Sequence, residues 1–445
     1  MKFKLFALTA TAAAALLATG AHAQTNDQLK DALAQAQAAA AQAQAAARQA
    51  QETLDKVLAA MSKQAAMAAP AAPSAGVDPK GSGFTFTNGP NSLSIYGLID
   101  VTASNKNNAN AALAGVTGLQ TAWFSGNRIG FSGKRELGDG LKAVFRLESE
   151  FDYRTGAEDT AGVLFNRDAW LGVESDTLGK ISVGRQNALG RDFAAGYLDP
   201  YGAAKSSTAE GGGTNTNNFK QLIFYAGSAT GTRYDNGIVW KKDFKNGLVG
   251  GLGYQFGNVA GNASTNTTKS IALGYNAGDA NIAGFAQSAN VAGYSNSSYS
   301  IGGNYTFGIV RVNAGYFNYK ADQMGIGQRK DSAYTLSAKF SPKGKLDYTV
   351  GYQTMRVNNA GASAGYALDA YKDTTIAPAT AKGAVTSVQT GNRNTFYGAV
   401  MYHLDEATDL YFVADKLNTT GTYRAATANG ATKQTEIGLG MRFKF

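Results

Sequence analysis

The chain of 445 residues has no cysteine, and its only two histidines are His22 and His403. The absence of cysteine excludes a disulfide framework and thiolate metal sites. Two histidines cannot form a histidine cluster, and they leave little choice of base for a Ser-His-Asp triad. No serine nucleophile motif accompanies His403. We therefore expect no enzyme, no metal site and no cofactor.

Long hydrophobic runs and prolines are also scarce. No run of about 18 apolar residues follows the first segment, so the sequence predicts no transmembrane helix. The chain has 7 prolines against 54 glycines, 22 tyrosines and 22 phenylalanines, a balance typical of a β protein whose ladders exclude proline. The mean hydropathy of −0.22 would suit a soluble protein. It also suits a transmembrane barrel, because half of each strand faces water.

Residues 1–23 have the pattern of a secretory signal peptide. Lys2 and Lys4 precede a short apolar stretch, and Ala21-His22-Ala23 offers a cleavage site with small residues on both sides. The apolar stretch is too short to span a bilayer as a helix, which disfavours a membrane anchor. Removal of this segment with its two lysines lowers the formal net charge from +9 to +7.

Residues 24–61 are rich in Ala and Gln and repeat every seven residues, which predicts a helical coiled coil. The two repeating positions are Leu29, Ala36, Ala43, Ala50 and Val57, and Leu33, Ala40, Ala47, Leu54 and Met61. A monomeric helical spacer of low complexity remains the alternative. Residues 62–91 contain several prolines and glycines and are expected to form a linker.

From residue 92 to residue 445 apolar and polar residues alternate with the period of a strand. Ile437 to Phe445 show it clearly: every second residue is apolar, and those between are glycine or charged. Short turns such as Gly138-Asp139-Gly140 alternate with longer polar stretches, the layout of a transmembrane barrel. A soluble sandwich would not explain this uniform hairpin order. We predict sixteen strands, beginning near residues 92, 123, 141, 163, 180, 233, 248, 267, 280, 298, 309, 330, 345, 393, 409 and 433.

Several of these segments resemble strands of a known family. Asn127 to Gly133, Phe165 to Gly172 and Tyr96 to Asp100 are similar to strands of Gram-negative general porins, especially the β-proteobacterial branch. The last residue, Phe445, matches the usual final aromatic residue of that family. The resemblance covers about residues 92–445. It implies an all-β transmembrane barrel of sixteen antiparallel strands, assembled as a homotrimer, with a long third loop folded into each pore.

The resemblance also implies a pore constriction with basic residues on the wall and acids on loop three. The matching wall positions are Arg128, Arg146, Arg167 and Arg233, and the loop acids are Asp199 and Asp192. The strand phase independently predicts that Arg128 and Arg146 face the lumen; snorkelling at the membrane interface is the alternative. Arg185 matches a trimer contact, and Phe445 an assembly signal read by the barrel assembly machinery. Residues 219–227 are read as part of loop three, although they could form a strand.

The expected function is passive diffusion of small hydrophilic solutes and ions through a water-filled channel in the outer membrane. Arginines that face few carboxylates predict a weak preference for anions. A substrate-specific organic-anion channel is one alternative. Another is a structural tether, with the N-terminal coil in the periplasm contacting peptidoglycan. The basic residues do not form a stripe interleaved with aromatic residues, the pattern expected for nucleic-acid binding. Outer-membrane lipid and lipopolysaccharide phosphates are therefore the favoured partners.

Overall fold

The computed structural model describes residues 34, 41, 45, 48, 52, 74–77, 83–109, 112–120, 123–198, 229–244, 246–291, 293–323, 327–363, 385–422 and 431–445. The chain divides into two units, residues 1–71 and residues 72–445. In the first unit the five described residues are helical and exposed. The predicted signal peptide and all heptad positions of the predicted coiled coil lie outside the described residues.

The second unit consists of strands and one helix within the described residues. The helix is α1 (Leu189–Leu198). The strands are β1 (Ser74–Val77), β2 (Phe84–Asn88), β3 (Asn91–Lys106), β4 (Val116–Gln120), β5 (Arg128–Gly138), β6 (Leu141–Glu150), β7 (Asp168–Ser175), β8 (Gly179–Asn187), β9 (Arg233–Asp243), β10 (Leu248–Gln255), β11 (Thr268–Ala277), β12 (Ala280–Val291), β13 (Tyr294–Phe307), β14 (Val310–Gln323), β15 (Gly327–Phe340), β16 (Leu346–Ser363), β17 (Val385–His403), β18 (Thr408–Thr419) and β19 (Lys433–Lys444).

Sixteen of these strands, β3 and β5 to β19, form a closed antiparallel ring. Each strand pairs with the next along the chain, and β19 closes the ring against β3, with Arg442 opposite Asp100. The predicted sixteen-stranded barrel is therefore confirmed, because each predicted strand corresponds to one strand of the ring. The ring leaves none of its sixteen strands as a free edge, as a membrane-spanning sheet requires.

The three remaining strands were not predicted, and they attach to the two ends of β3. β2 pairs with the first residues of β3, on the edge that β19 leaves free, and β1 pairs with β2. β4 pairs with the last residues of β3. β1 and β2 therefore place strands within the expected linker, residues 62–91. The Phe-Thr-Phe-Thr alternation of β2 carried this signal, since Phe84 and Phe86 both face outward.

The burial pattern of the barrel is inverted relative to a soluble protein. Apolar side chains cover the outside, where Leu439 is 66% exposed and Ile301 is 54% exposed. Polar side chains such as Asn313 and Thr335 point inward. This alternation is the pattern expected for lipid outside and water inside. Among the described residues, no helix is long and apolar enough to cross a membrane.

α1 follows β8 and lies inside the barrel, against the inner faces of β10 to β14. Leu189 and Phe193 pack on inward-facing apolar residues, including Phe285 and Phe317. Gly251 on β10 makes this possible, because a Cβ atom there would lie 2.9 Å from Leu189 Cδ2. The hydrophobic core of the barrel therefore lies in the lumen, between α1 and one side of the wall.

Candidate pore constriction

Three of the four predicted wall arginines belong to one ion-pair network on β5, β6 and the start of β7. Arg167 pairs with both Glu148 and Glu150, and Arg128 Nη1 lies 3.9 Å from Glu148 Oε1. Arg146 Nη1 lies 3.8 Å from Asp168 Oδ2. The strand phase correctly predicted that Arg128 and Arg146 point inward. The structure thus brings these arginines together, but each faces a carboxylate of the wall itself.

Arg167 reaches the lumen because of its neighbour Asn166. The Asn166 side chain pairs with the backbone of Glu150, accepting from its N–H at 2.7 Å and donating to its carbonyl oxygen at 2.9 Å. This contact replaces ladder pairing just before β7 begins. Arg167 and Asp168 can therefore both point inward although they are consecutive, and both are buried. Strand alternation alone therefore does not predict the direction of Arg167.

Arg233 and Arg191 extend the positive charge across the lumen. Arg233 begins β9 and interacts electrostatically with Arg167 and Asp168. Arg191 lies in the first turns of α1 and interacts with Arg233 and Arg167. α1 therefore contributes a basic group to the constriction. The sequence gave no sign that Arg191 would face the wall arginines.

Among the described residues, the candidate constriction carries an excess of positive charge. Its arginines are Arg128, Arg146, Arg167, Arg191 and Arg233, and its carboxylates are Glu148, Glu150 and Asp168. Five positive and three negative charges leave an excess of two. The acids were missed at the sequence level, although Glu148 and Glu150 share the strand phase of Arg146. In a narrow lumen such an excess attracts anions and repels cations.

The two predicted loop-three acids have different outcomes. Asp192 was expected to face the arginines, but its Oδ2 lies 2.7 Å from Lys241 Nζ. Its Oδ1 accepts a hydrogen bond from Asn187 Nδ2 at 2.9 Å. The carboxylate is therefore buried and paired at the base of α1, where it fixes the helix to β8 and β9. Asp199 lies outside the described residues, as do residues 219–227, whose assignment to loop three stays a prediction.

Two further predicted residues lie away from the constriction. Arg185 sits at a bulge of β8, pairs with Asp235, and donates to the Asn166 carbonyl oxygen at 2.8 Å. Its role as a trimer contact stays a prediction. Phe445 extends the pairing of β19, because its backbone exchanges hydrogen bonds with Gly97. Its ring packs so closely over Gly97 that no Cβ atom would fit there.

The loop between β6 and β7, at the long-loop end of the barrel, is held by contacts of Arg154. Arg154 forms a two-pronged ion pair with Asp152, and this hydrogen bonding lowers the pKa of Asp152. Arg154 also donates to the Leu119 carbonyl oxygen on β4 at 3.2 Å. No group of three or more His, Asp or Glu side chains in the described part of the chain could hold a metal ion.

A closed barrel with an apolar outer surface, a polar lumen and a charged constriction defines a transmembrane channel. The family model for Gram-negative porins matches residues 9–422 of the chain. The chain therefore belongs to the Gram-negative porin family and forms an outer-membrane channel, as the resemblance implied. Members of this family conduct solutes and are not enzymes.

Similarity to individual proteins agrees with this assignment. An outer membrane porin protein of Bordetella pertussis is 26% identical over 393 residues, covering 80% of this chain and 94% of that protein. Outer membrane porin protein 32 of Delftia acidovorans is 25% identical over 274 residues, covering 58% and 74%. An anion-selective porin from Comamonas acidovorans has the same fold, with a TM-score of 0.61 and 19% identity, over 80% of this chain and all of that one.

OmpT of Vibrio cholerae also shares the fold and has been solved in a trimer form. Its TM-score is 0.52 at 16% identity, with coverage of 80% of this chain and 99% of OmpT. Likeness at this level of identity concerns the barrel architecture alone.

Proposed function

We propose that this porin is a general diffusion channel with a weak preference for anions, set by Arg128, Arg146, Arg167, Arg191 and Arg233. The observation that carries the proposal is the excess of arginines over carboxylates in the described constriction. Ion pairing with Glu148, Glu150 and Asp168 reduces the field of the arginines, which accounts for a weak preference. Small hydrophilic solutes pass by size, and anions pass more easily than cations.

Single-channel recordings in a salt gradient test this proposal. The reversal potential of the wild-type protein should correspond to an anion preference. The R128Q/R146Q double variant should have a permeability ratio close to one, because the described excess of two positive charges is removed. Arg154→Gln, in the loop between β6 and β7, is the matched control and should leave the ratio unchanged. A cation-selective wild-type channel would contradict the proposal.

A substrate-specific organic-anion channel is the second candidate. The inward cluster of Leu189, Phe193, Phe285 and Phe317 is apolar, but its side chains are packed against one another and buried. It therefore offers no free apolar surface to an organic solute, and this favours the general channel. Liposome swelling with a panel of neutral sugars and organic anions distinguishes the two. A general channel admits solutes in order of size, whereas a specific channel shows saturation with one compound.

We also propose the assembly and location of the whole protein. The barrel forms a homotrimer in which Arg185 lies near the contact, and the barrel assembly machinery reads Phe445. Cross-linking of the purified protein and replacement of Phe445 by Ala test these two points.

The N-terminal segment, residues 24–61, forms a periplasmic coiled coil that reaches towards peptidoglycan, and lipopolysaccharide surrounds the outer end of the barrel.

A further inference from the structure

Three cations cluster on the outer face of β14, β15 and β16, at the long-loop end of the barrel. Lys320 and Lys330 are directly opposite each other in the ladder, and both are exposed. Arg356 pairs with Ser332, two residues along β15 from Lys330. We call Lys320, Lys330 and Arg356 the rim cation cluster. Like charges directly opposite on one face of a sheet are destabilising, so the cluster gains from an anion bound between them.

The charges near this cluster do not neutralise it. Asp322 is the acid closest to Lys320 along β14, and Gln328 Nε2 donates to its Oδ1 at 3.0 Å. Asp331 points inward and pairs with Arg329 at 2.9 Å. With Asp322 counted, the outer face here still carries two more positive than negative charges. The cluster therefore offers a local positive field to the lipid side of the barrel.

The cluster sits immediately beyond a row of outward-facing tyrosines. The ring centroids of Tyr299 and Tyr316 are 6.0 Å apart, and those of Tyr316 and Tyr334 are 5.0 Å apart. The Arg356 guanidinium lies 5.9 Å from the centre of the Tyr334 ring. Aromatic rows of this kind mark the boundary between hydrocarbon and headgroups. The cations therefore lie at headgroup height, with apolar side chains such as Leu336 and Ile301 towards the bilayer centre.

We propose that the rim cation cluster binds the phosphates of lipid A, the phosphorylated glycolipid of the outer leaflet. Two phosphates on one disaccharide can pair with Lys320, Lys330 and Arg356 while the acyl chains lie along the apolar wall. The rim cation cluster is thereby the specific site at which lipopolysaccharide contacts the barrel. The proposal depends on the barrel lying in the outer membrane with the long loops outward, and it is independent of ion selectivity.

Native mass spectrometry of the full-length protein tests the site. The probes are diphosphoryl lipid A, fully dephosphorylated lipid A and phosphatidylglycerol, each added to lipid-free protein in detergent. The wild-type protein should retain diphosphoryl lipid A most tightly. The K320Q/K330Q variant should retain it roughly thirtyfold less well, since two surface cations are lost and each contributes on the order of 1 kcal/mol to anionic lipid binding.

Lys269→Gln is the matched control. Lys269 is an exposed lysine on β11, at the same long-loop end of the barrel, and it lies opposite Ser288 instead of another cation. It should bind close to the wild-type level. Equal retention of lipid A by K320Q/K330Q and wild type would overturn the proposal. The proposal would also be overturned if the wild-type protein retained phosphatidylglycerol or dephosphorylated lipid A as tightly as it retains diphosphoryl lipid A.

Channel recordings and a single-substitution variant keep the outcome interpretable. Channel recordings on the same variants should give the wild-type reversal potential, because the cluster lies on the opposite face of the wall from the lumen. Failure of the lipid site is thereby distinguished from failure of the proposed selectivity. If the double variant does not fold, Lys330→Gln alone replaces it, and a retention of lipid A equal to that of wild type would then contradict the proposal.

Discussion

A buried aspartate, Asp100, connects the closing seam of the barrel to the segment that leads into the constriction. Its Oδ2 accepts hydrogen bonds from the backbone N–H groups of Phe124 and Ser125, at 2.9 and 2.8 Å. Its Oδ1 accepts from the Tyr411 hydroxyl, and its own N–H donates to Asn127 Oδ1 at 2.5 Å. The segment 124–127 is thereby held inside the barrel, directly before Arg128.

We predict that Asp100→Asn shifts the constriction and weakens the barrel. An amide presents one acceptor oxygen where the carboxylate presents two, so at least one of the three hydrogen bonds that the Asp100 side chain accepts is lost. Loss of a buried hydrogen bond to a charged group costs roughly 1.5–3 kcal/mol. The unfolding temperature should fall, and the reversal potential should change because Arg128 moves. Tyr411→Phe, which removes a single donor, should have a smaller effect of the same kind. An unchanged reversal potential in Asp100→Asn would show that Asp100 does not position Arg128.

The sequence predicted the inward direction of Arg128 and Arg146 but not which carboxylates they would meet. Strand phase depends only on the alternation of side chains, so Arg128 and Arg146 could be placed from local sequence. Glu148 and Glu150 have the same phase, but their pairing with Arg167 depends on the irregular turn that Asn166 makes before β7. Lys241 lies about 50 residues from Asp192. Such a long-range pair depends on the pairing of β8 with β9 and on the position of α1, and it cannot be deduced from spacing along the chain.

At the scale of elements, α1 is fixed in the lumen by its contacts with the inner face of the wall. The helix rests on β10 at Gly251, next to the glycine at position 250. The structure gives Gly251 a function, because its missing side chain leaves the space that Leu189 fills. The neighbouring Gly250 faces the other side of the sheet, where a Cβ atom would have ordinary contacts of 3.5 Å or more.

This difference gives a matched pair of variants. Gly251→Val should push α1 away from the wall, because a Cβ atom alone would already be 2.9 Å from Leu189 Cδ2. The single-channel conductance should change, since α1 also carries Arg191 towards the wall arginines. Gly250→Ala should leave the conductance at the wild-type value. Equal conductances for Gly251→Val and the wild-type protein would show that α1 does not restrict the channel.

At the scale of the whole molecule, all described strands belong to one sheet, which comprises the sixteen-stranded ring and the three short strands attached to it. β1 and β2 belong to the second unit, which begins at residue 72, although they lie in a stretch whose prolines and glycines predicted a linker. Local composition was misleading here because β2 is stabilised by pairing with β3. Any experiment that separates the N-terminal segment from the channel must therefore cut before β1.

Deletion of residues 24–61 should leave the channel intact. All strands of the ring, together with β1 and β2, remain in the shortened protein, so its single-channel conductance and reversal potential should equal those of the full chain. If the removed segment tethers the barrel to the cell wall, cells with the deletion should become more sensitive to detergent. A longer deletion through residue 88 is the contrasting variant. It also removes β2, leaves the first residues of β3 without their pairing strand on one edge, and should lower the unfolding temperature. Loss of conductance in the shorter deletion would instead show that residues 24–61 are part of the channel.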